Sequence, residues 1–105
     1  MSKPQRGEVW LADLGLAAKV RPALIISVPF RDSDRALFTI VPHTTKIIGS
    51  EYEVHLSIPW LEKGALNVQS VMPAVPPQFI RRLGTLTPQQ LAEIEIALRR
   101  WAGLK

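Results

Sequence analysis

The 105-residue chain contains no cysteine. That excludes disulfides, thiolate metal sites and cysteine nucleophiles together, and it fits a reducing, cytoplasmic setting. No stretch comes near the roughly 18 consecutive apolar residues of a membrane span. The opening MSKPQRGEVW is basic but lacks the apolar core of a signal peptide. The glycine-rich patterns that cradle nucleotide phosphates are missing, and so is the GxSxG elbow of a serine hydrolase. Only two histidines are present, His43 and His55, and neither is spaced with acids as zinc ligands are. No metal and no cofactor is therefore expected. Repeats and low-complexity tracts are absent too.

What is present is 47% apolar residues and a surplus of base, 13 Lys and Arg against 9 Asp and Glu, for a net charge of +4. Length and apolar content predict a single folded domain over 1–105. Basic domains often meet nucleic acid, because each neutralised phosphate releases counterions. Here the cations are scattered, with no run longer than two. Charge alone leaves nucleic-acid binding and plain solubility both open.

Gly7 and Gly15 bound RGEVWLADL, where Val9 and Leu11 alternate with Glu8 and Trp10, the pattern of a first strand. PALIISV (22–28) reads as a more fully buried second strand. The cluster Asp32-Ser33-Asp34 marks a turn. ALFTIVPHTTK predicts a third strand interrupted at Pro42. EYEVHLS predicts a half-exposed strand with Glu51, Glu53 and His55 on its polar side. IPWLEKG reads as a turn, ALNVQSVM as a strand, PAVPPQ as a loop and FIRRLG as a last short strand.

The end of the chain predicts a helix. Thr87 stands as N-cap, Pro88 at the first helical position and Gln90 where a capping box needs it. Leu86 and Leu91 occupy the staple positions, and Leu91, Ile94, Leu98 and Trp101 keep helical spacing. Arg99 and Arg100 suit the last turn, and Gly103 the terminator. The sum is a mainly β (α+β) fold: about six short strands in a small curled β-barrel, followed by one C-terminal α-helix.

In KVRPALIISVPF an arginine directly precedes a proline. The residue before proline is pushed to extended geometry, so Arg21 is expected at the mouth of the second strand. A surface ion pair, with Asp13 or Glu8 as partner, is one reading. A grip on a phosphate, which the planar five-donor guanidinium suits, is the other. IVPHTTK offers His43, Thr44 and Thr45 beside Lys46, either as an ordinary strand end or as a phosphate site. Trp10 and Trp60 are base-stacking platforms or core residues. Ser70 and Arg81 either touch a ligand or face solvent.

Taken in order, RGEVWLADL, RPALIIS, VPHTT, SVM and RRLGTLT resemble the MazF/PemK-type toxins of bacterial toxin–antitoxin pairs, over nearly the whole chain. The resemblance implies an SH3-like barrel and a homodimer. It implies a cytoplasmic, ribosome-independent, metal-free endoribonuclease that cuts single-stranded RNA at short sequences, leaving a 2′,3′-cyclic phosphate and a 5′-hydroxyl. It further implies a cognate antitoxin protein, with DNA bound by the toxin–antitoxin complex. Carried over residue by residue, it puts the catalytic pair at Arg21 and Thr44. Two candidate helpers stand beside the pair: His43, which the family does not require but whose intrinsic pKa suits a base, and Thr45, the alternative if the register slips by one. Lys19, Lys46, Ser70 and Arg81 follow the RNA. Two segments depart from the family pattern. GLAAKV is shorter than the usual G-x-E-x-x-G loop and carries no acid, and MPAVPPQFI is shorter and richer in proline. Two readings from other classes stand beside this one: a non-catalytic SH3-like module that binds nucleic acid or protein, and a gyrase-poisoning toxin of the same fold. The ending RRWAGLK lacks the W-G-I-like terminus that the latter favours.

Overall fold

The computed structural model describes residues 3–15 and 19–105. Among them seven strands precede one α-helix: β1 (Glu8–Asp13), β2 (Val20–Ile25), β3 (Phe38–Thr44), β4 (Glu53–Val54), β5 (Ala65–Asn67), β6 (Met72–Ala74), β7 (Phe79–Thr85) and α1 (Pro88–Ala102). All pairings are antiparallel, in the order β4-β5-β3-β2-β1-β7, with β6 also on β3. The expected mainly β architecture with a C-terminal helix is present. The sheet curls strongly but does not close, since β4 and β7 are both ends of the path.

The curl has a visible cause. Between β1 and β7 the register slips twice, from Val9–Gly84 to Trp10–Arg82 and from Leu11–Arg81 to Ala12–Phe79. Each slip leaves one β7 residue unopposed, and such bulges bend a strand and increase its twist. The bend brings Phe79 of β7 edge-on to Phe38 of β3, ring centres 5.1 Å apart, and edge-on to Trp10 at 6.1 Å. One face of the sheet thus wraps an aromatic core of Trp10, Ala12, Ala23, Ile25, Phe38, Ile40, Ala74 and Phe79. The opposite face packs Val9, Leu24, Val41, Leu66 and Val68 against Ile94 and Ala97 of α1. Both faces of β1 are therefore buried, and Glu8 and Trp10 lie inside rather than on a polar side.

Trp10 is a core residue, 2% exposed, with its indole N–H donating to Glu8 Oε1 at 3.0 Å. Glu8 also receives the Gln5 N–H at 2.7 Å and pairs with Arg82 at 3.1 Å. Burial pushes the Glu8 carboxyl up, but these hydrogen bonds and the Arg82 charge outweigh it, and the group titrates below its ordinary value. Glu8 sits opposite Thr85 and Arg21 opposite Ala12, at different ends of β1, so Glu8 is not the ion-pair partner of Arg21.

Three further expectations are corrected. Pro42 does not interrupt the third strand: β3 runs through it to Thr44, because its neighbours His43 and Thr44 pair with β5. Only Glu53 and Val54 of EYEVHLS form a strand, and Glu53 is buried. Its carboxylate accepts the N–H groups of Ile48 (3.0 Å), Gly49 (2.8 Å) and Ser50 (3.0 Å), which turns the chain and fixes the acid inward. The Ile48 bond leads in holding that carboxyl below the usual range, against burial. ALNVQSVM is two strands, not one. Asn67 accepts from the Gln69 N–H at 3.2 Å and donates to Ser70 Oγ at 3.0 Å, which closes a 3₁₀ turn over Val68–Ser70 between β5 and β6.

The helix matches its sequence signals. Thr87 Oγ1 accepts the Gln90 N–H at 3.2 Å, and Gln90 Oε1 accepts the Thr87 N–H at 2.8 Å. Gly103 ends it at φ 71°, a left-handed conformation that glycine adopts freely. Ile94 is fully buried, and Trp101 stacks at a tilt on Tyr52, ring centres 5.2 Å apart.

Candidate active site

β2 and β3 pair through three rungs, Ile25–Ile40, Leu24–Val41 and Ala23–Pro42, and then part. Prolines stand at the parting point in both strands, Pro22 and Pro42, and neither has an N–H to offer the ladder. Beyond it, β2 keeps β1 as partner through Arg21–Ala12 and Val20–Asp13. β3 keeps β5 through His43–Leu66 and Thr44–Ala65. A cavity of about 360 Å³ opens between the diverging ends, lined by Lys19, Val20, Arg21, His43, Thr44, Thr45, Lys46 and Glu62. Arg21 is thus the second residue of its strand rather than at its mouth, and it lies on the wall of a cavity.

Continuing the β2–β3 register two steps past Ala23–Pro42 sets Arg21 opposite Thr44. Both share the alternation of Ala23, Ile25 and Ile40, the aromatic-core face, whereas His43 alternates with Val41 towards the helix. The Thr44 hydroxyl oxygen accepts the Lys46 N–H at 3.1 Å, which turns the chain and brings Lys46 back to the cavity. Lys19 reaches the rim from a left-handed backbone (φ 56°). There its N–H donates to Gly15 O at 2.6 Å, and its carbonyl accepts the Leu14 N–H at 2.9 Å.

His43 is 2% exposed. Burial lowers its pKa, and the Arg21 charge adds to that. The Glu62 charge and a hydrogen bond to the Glu62 backbone work in the opposite direction without overturning it. The ring is therefore neutral at pH 7. Gly64 (φ 149°) is what allows the 58–64 turn to press against it. A Cβ there would lie 2.2 Å from Thr44 O and 2.6 Å from His43 Cε1, closer than atoms pack. The cavity wall thus carries the basic side chains of Lys19, Arg21 and Lys46 against one carboxylate, together with two hydroxyls.

Of the sequence candidates, the cavity gathers Lys19, Arg21, His43, Thr44, Thr45 and Lys46. Ser70 and Arg81 are exposed and do not line it. Ser70 is held by Asn67, and Arg81 stands on β7 opposite Leu11. Asp13 Oδ1 receives the Gly15 N–H at 3.1 Å. Half of the shortened GLAAKV link, residues 16–18, lies outside the described residues. Glu62 was missed by sequence reasoning. It belongs to the turn IPWLEKG, whose signals are Pro59 and Gly64, and these announce a bend without saying which strand the bend will touch. Among the described residues no three His, Cys, Asp or Glu side chains cluster as metal ligands do, and no helix is long and apolar enough to cross a membrane.

A curled antiparallel sheet, a C-terminal helix packed on one face and a cation-rich cavity between two diverging strands define a small β-class protein with a formed site on that sheet. The model of the PemK-like, MazF-like toxins of type II toxin–antitoxin systems matches residues 5–102. The chain belongs to that family. Among solved structures it is similar to a mycobacterial endoribonuclease in complex with its cognate antitoxin, with 27% identity, 97% of each chain covered and a TM-score of 0.82. It is also similar to a second mycobacterial endoribonuclease, with 27% identity, 99% of this chain and 95% of that one, and a TM-score of 0.80. MazF from Deinococcus radiodurans shares the fold at 23% identity, with 99% and 100% covered and a TM-score of 0.82. No curated protein sequence matches the chain.

Proposed function

We propose that this chain is the endoribonuclease toxin of a type II toxin–antitoxin pair, cutting single-stranded RNA without a metal ion. The observation that carries the reading is the register of the parting strands, which sets Arg21 opposite Thr44 at a cavity shared with Lys19 and Lys46. RNA carries its own nucleophile. The 2′-oxygen attacks the adjacent phosphorus, the bond to the 5′-oxygen breaks, and a 2′,3′-cyclic phosphate and a 5′-hydroxyl result. The phosphoryl oxygens gain charge on the way. A planar guanidinium from one strand and a hydroxyl from the other can donate to them from two sides. The leaving 5′-oxygen takes a proton from Arg21, which recovers it from solvent; arginine, protonated at any neutral pH, is an acid here and not a base. Lys19 and Lys46 hold the flanking phosphates, while Thr45 is the neighbour that does not take the Thr44 role. Ser70 and Arg81 are proposed further along the RNA.

The same reading makes the working form a homodimer whose two copies build one basic groove. It makes the inhibitor a cognate antitoxin with an acidic, partly disordered segment that folds as it binds. One of the mycobacterial relatives was solved with its cognate antitoxin, which supports the pairing. The test is incubation of the purified protein with a long RNA of little secondary structure in EDTA, with both ends of each cut identified chemically. Cuts at a short recurring sequence, bearing cyclic phosphate and 5′-hydroxyl ends, are expected. Intact RNA, or cutting that depends on added magnesium, overturns the reading.

A further inference from the structure

The proposed reaction needs a group that takes the proton from the attacking 2′-hydroxyl, and the cavity wall holds few that can. Lys19, Arg21 and Lys46 are cations at neutral pH, and the hydroxyls of Thr44 and Thr45 are too weakly basic. That leaves His43 and Glu62. His43 is enclosed: it is 2% exposed, one side of its ring is hydrogen-bonded to the Glu62 backbone, and its Cε1–Nε2 edge lies against Gly64. Glu62 is exposed and lines the same cavity from the 58–64 turn.

We propose that Glu62 is the general base of this cavity. The inference rests on the endoribonuclease reading. The Glu62 carboxylate takes the 2′-proton as the 2′-oxygen bonds to phosphorus, the bond to the 5′-oxygen breaks, that oxygen takes the Arg21 proton, and Glu62 later returns its own proton to solvent. The charged and titratable groups around it are Lys19 and Arg21 on the β2 side, His43 and Lys46 on the β3 side, and Lys63 in its own turn. An anion among phosphate-binding cations would weaken RNA binding if it had no chemical task, because it repels the backbone it faces. His43 becomes a positioning residue. Its ring ties the Glu62 backbone to β3, and Gly64 lets the turn approach closely enough for that bond.

The experiment is single-turnover cleavage of an RNA oligonucleotide carrying one mapped site, by the full chain and by Glu62→Gln, Glu62→Asp and Glu62→Ala, across pH and with added formate. A lost general base slows the chemical step by about 10²–10⁴-fold. Glu62→Gln is expected in that range with an unchanged melting temperature, and without the acidic limb of the wild-type pH–rate profile. Glu62→Asp keeps the limb at reduced rate. The rate of Glu62→Ala rises in proportion to formate, a small carboxylate that can enter the emptied space; a merely structural acid gives no such rescue. Glu62→Gln cutting within about threefold of wild type, or a slow Glu62→Ala that formate does not rescue, overturns the assignment to Glu62. A wild-type chain that leaves RNA intact overturns the endoribonuclease reading instead, and the two failures are told apart by that control.

Discussion

Ala23 of β2 stands opposite Pro42 of β3, and theirs is the last rung between the two strands. One step further along both strands, continued pairing would set Pro22 beside His43, and two steps further Arg21 beside Thr44. Instead each strand turns to its other neighbour, and the space between them becomes the cavity. The sheet is interrupted where its sequence supplies fewer donors, and Arg21 and Thr44, which would have been cross-strand neighbours, both line the cavity instead.

Arg21→Ala is therefore expected to remove rate far more than stability. Loss of one donor to a developing oxyanion costs about 10²–10³ in rate, or about 3–4 kcal/mol. Loss of an ordinary surface ion pair costs about 0–1 kcal/mol of folding and would leave cutting intact. Arg21→Lys restores little, since a point charge does not replace a planar fork. Single-turnover cleavage beside thermal melts separates the two, and an Arg21→Ala chain that cuts at wild-type rate removes the central residue.

Thr44 and Thr45 are told apart by alternation. Thr44 shares the face of Arg21 and Thr45 does not, so Thr44→Ala slows cutting by about 10-fold to 10²-fold, less than a charged donor, and Thr45→Ala leaves the rate near wild type. Equal losses at both positions, or the larger loss at Thr45, shift the register by one and contradict the pairing continued from Ala23–Pro42.

Gly64→Ala is expected to damage fold and site together. The added Cβ meets Thr44 O and His43 Cε1 at 2.2 and 2.6 Å, and the backbone there has φ 149°. Overpacking of this kind costs about 1–3 kcal/mol, and residues other than glycine disfavour that backbone region. A chemical denaturation curve reads the first effect and RNA cleavage the second. An unchanged midpoint shows that the 58–64 turn does not need its close approach.

Stability depends on pH through His43. Its folded pKa lies below its unfolded value of about 6.5, so the unfolded chain binds more protons in that window and stability rises with pH. The melting temperature is expected to fall as the pH drops from 7 towards 5, and His43→Gln flattens that slope even if it lowers the whole curve. Glu8 and Glu53, both lowered, contribute stability above the unfolded carboxyl value of about 4.3 that is lost as the pH falls through their folded values. A melting temperature constant from pH 7 to 5 in the native chain contradicts the assignment to His43.

A homodimer is expected at micromolar concentration. The described surface leaves several large apolar side chains exposed, among them Ile48, Val28, Ile80 and Leu104. Light scattering that returns a monomer, from a sample that still cuts RNA at full rate, contradicts the two-copy groove.

The helix was legible from end to end, because each of its signals acts within a few residues. Thr87, Pro88, Gln90 and Gly103 act on backbone groups three or four positions away, and Ile94 is buried where the periodicity puts it. β1 and β7 were legible for the same reason, whereas β2, expected over 22–28, runs Val20–Ile25; that Arg21 and the Pro42–Lys46 segment belong to one candidate site was implied only by the family resemblance. EYEVHLS misled because alternation assigns faces without knowing which loop will need an acceptor. Glu53 turned inward to satisfy three N–H groups of 48–50. ALNVQSVM misled because the Asn67 side chain competes with the ladder for the backbone.

What the chain order determined by itself is the set of local choices: the cap, the prolines at 22 and 42, the cationic and hydroxyl residues beside them, and an apolar pattern with strand and helix periods. Those follow from covalent geometry and near-neighbour hydrogen bonding, and they need no knowledge of what lies across the fold. Only the tertiary structure decided that Pro42 would stand in the last β2–β3 rung with Pro22 one step beyond it, that bulges opposite β1 would curl the sheet until Phe79 reached Phe38, and that Gly64 would admit a turn against His43 and so bring Glu62 to the cavity. Each of these joins residues distant in the chain, whose meeting depends on register and close packing between elements rather than on any residue's own preference.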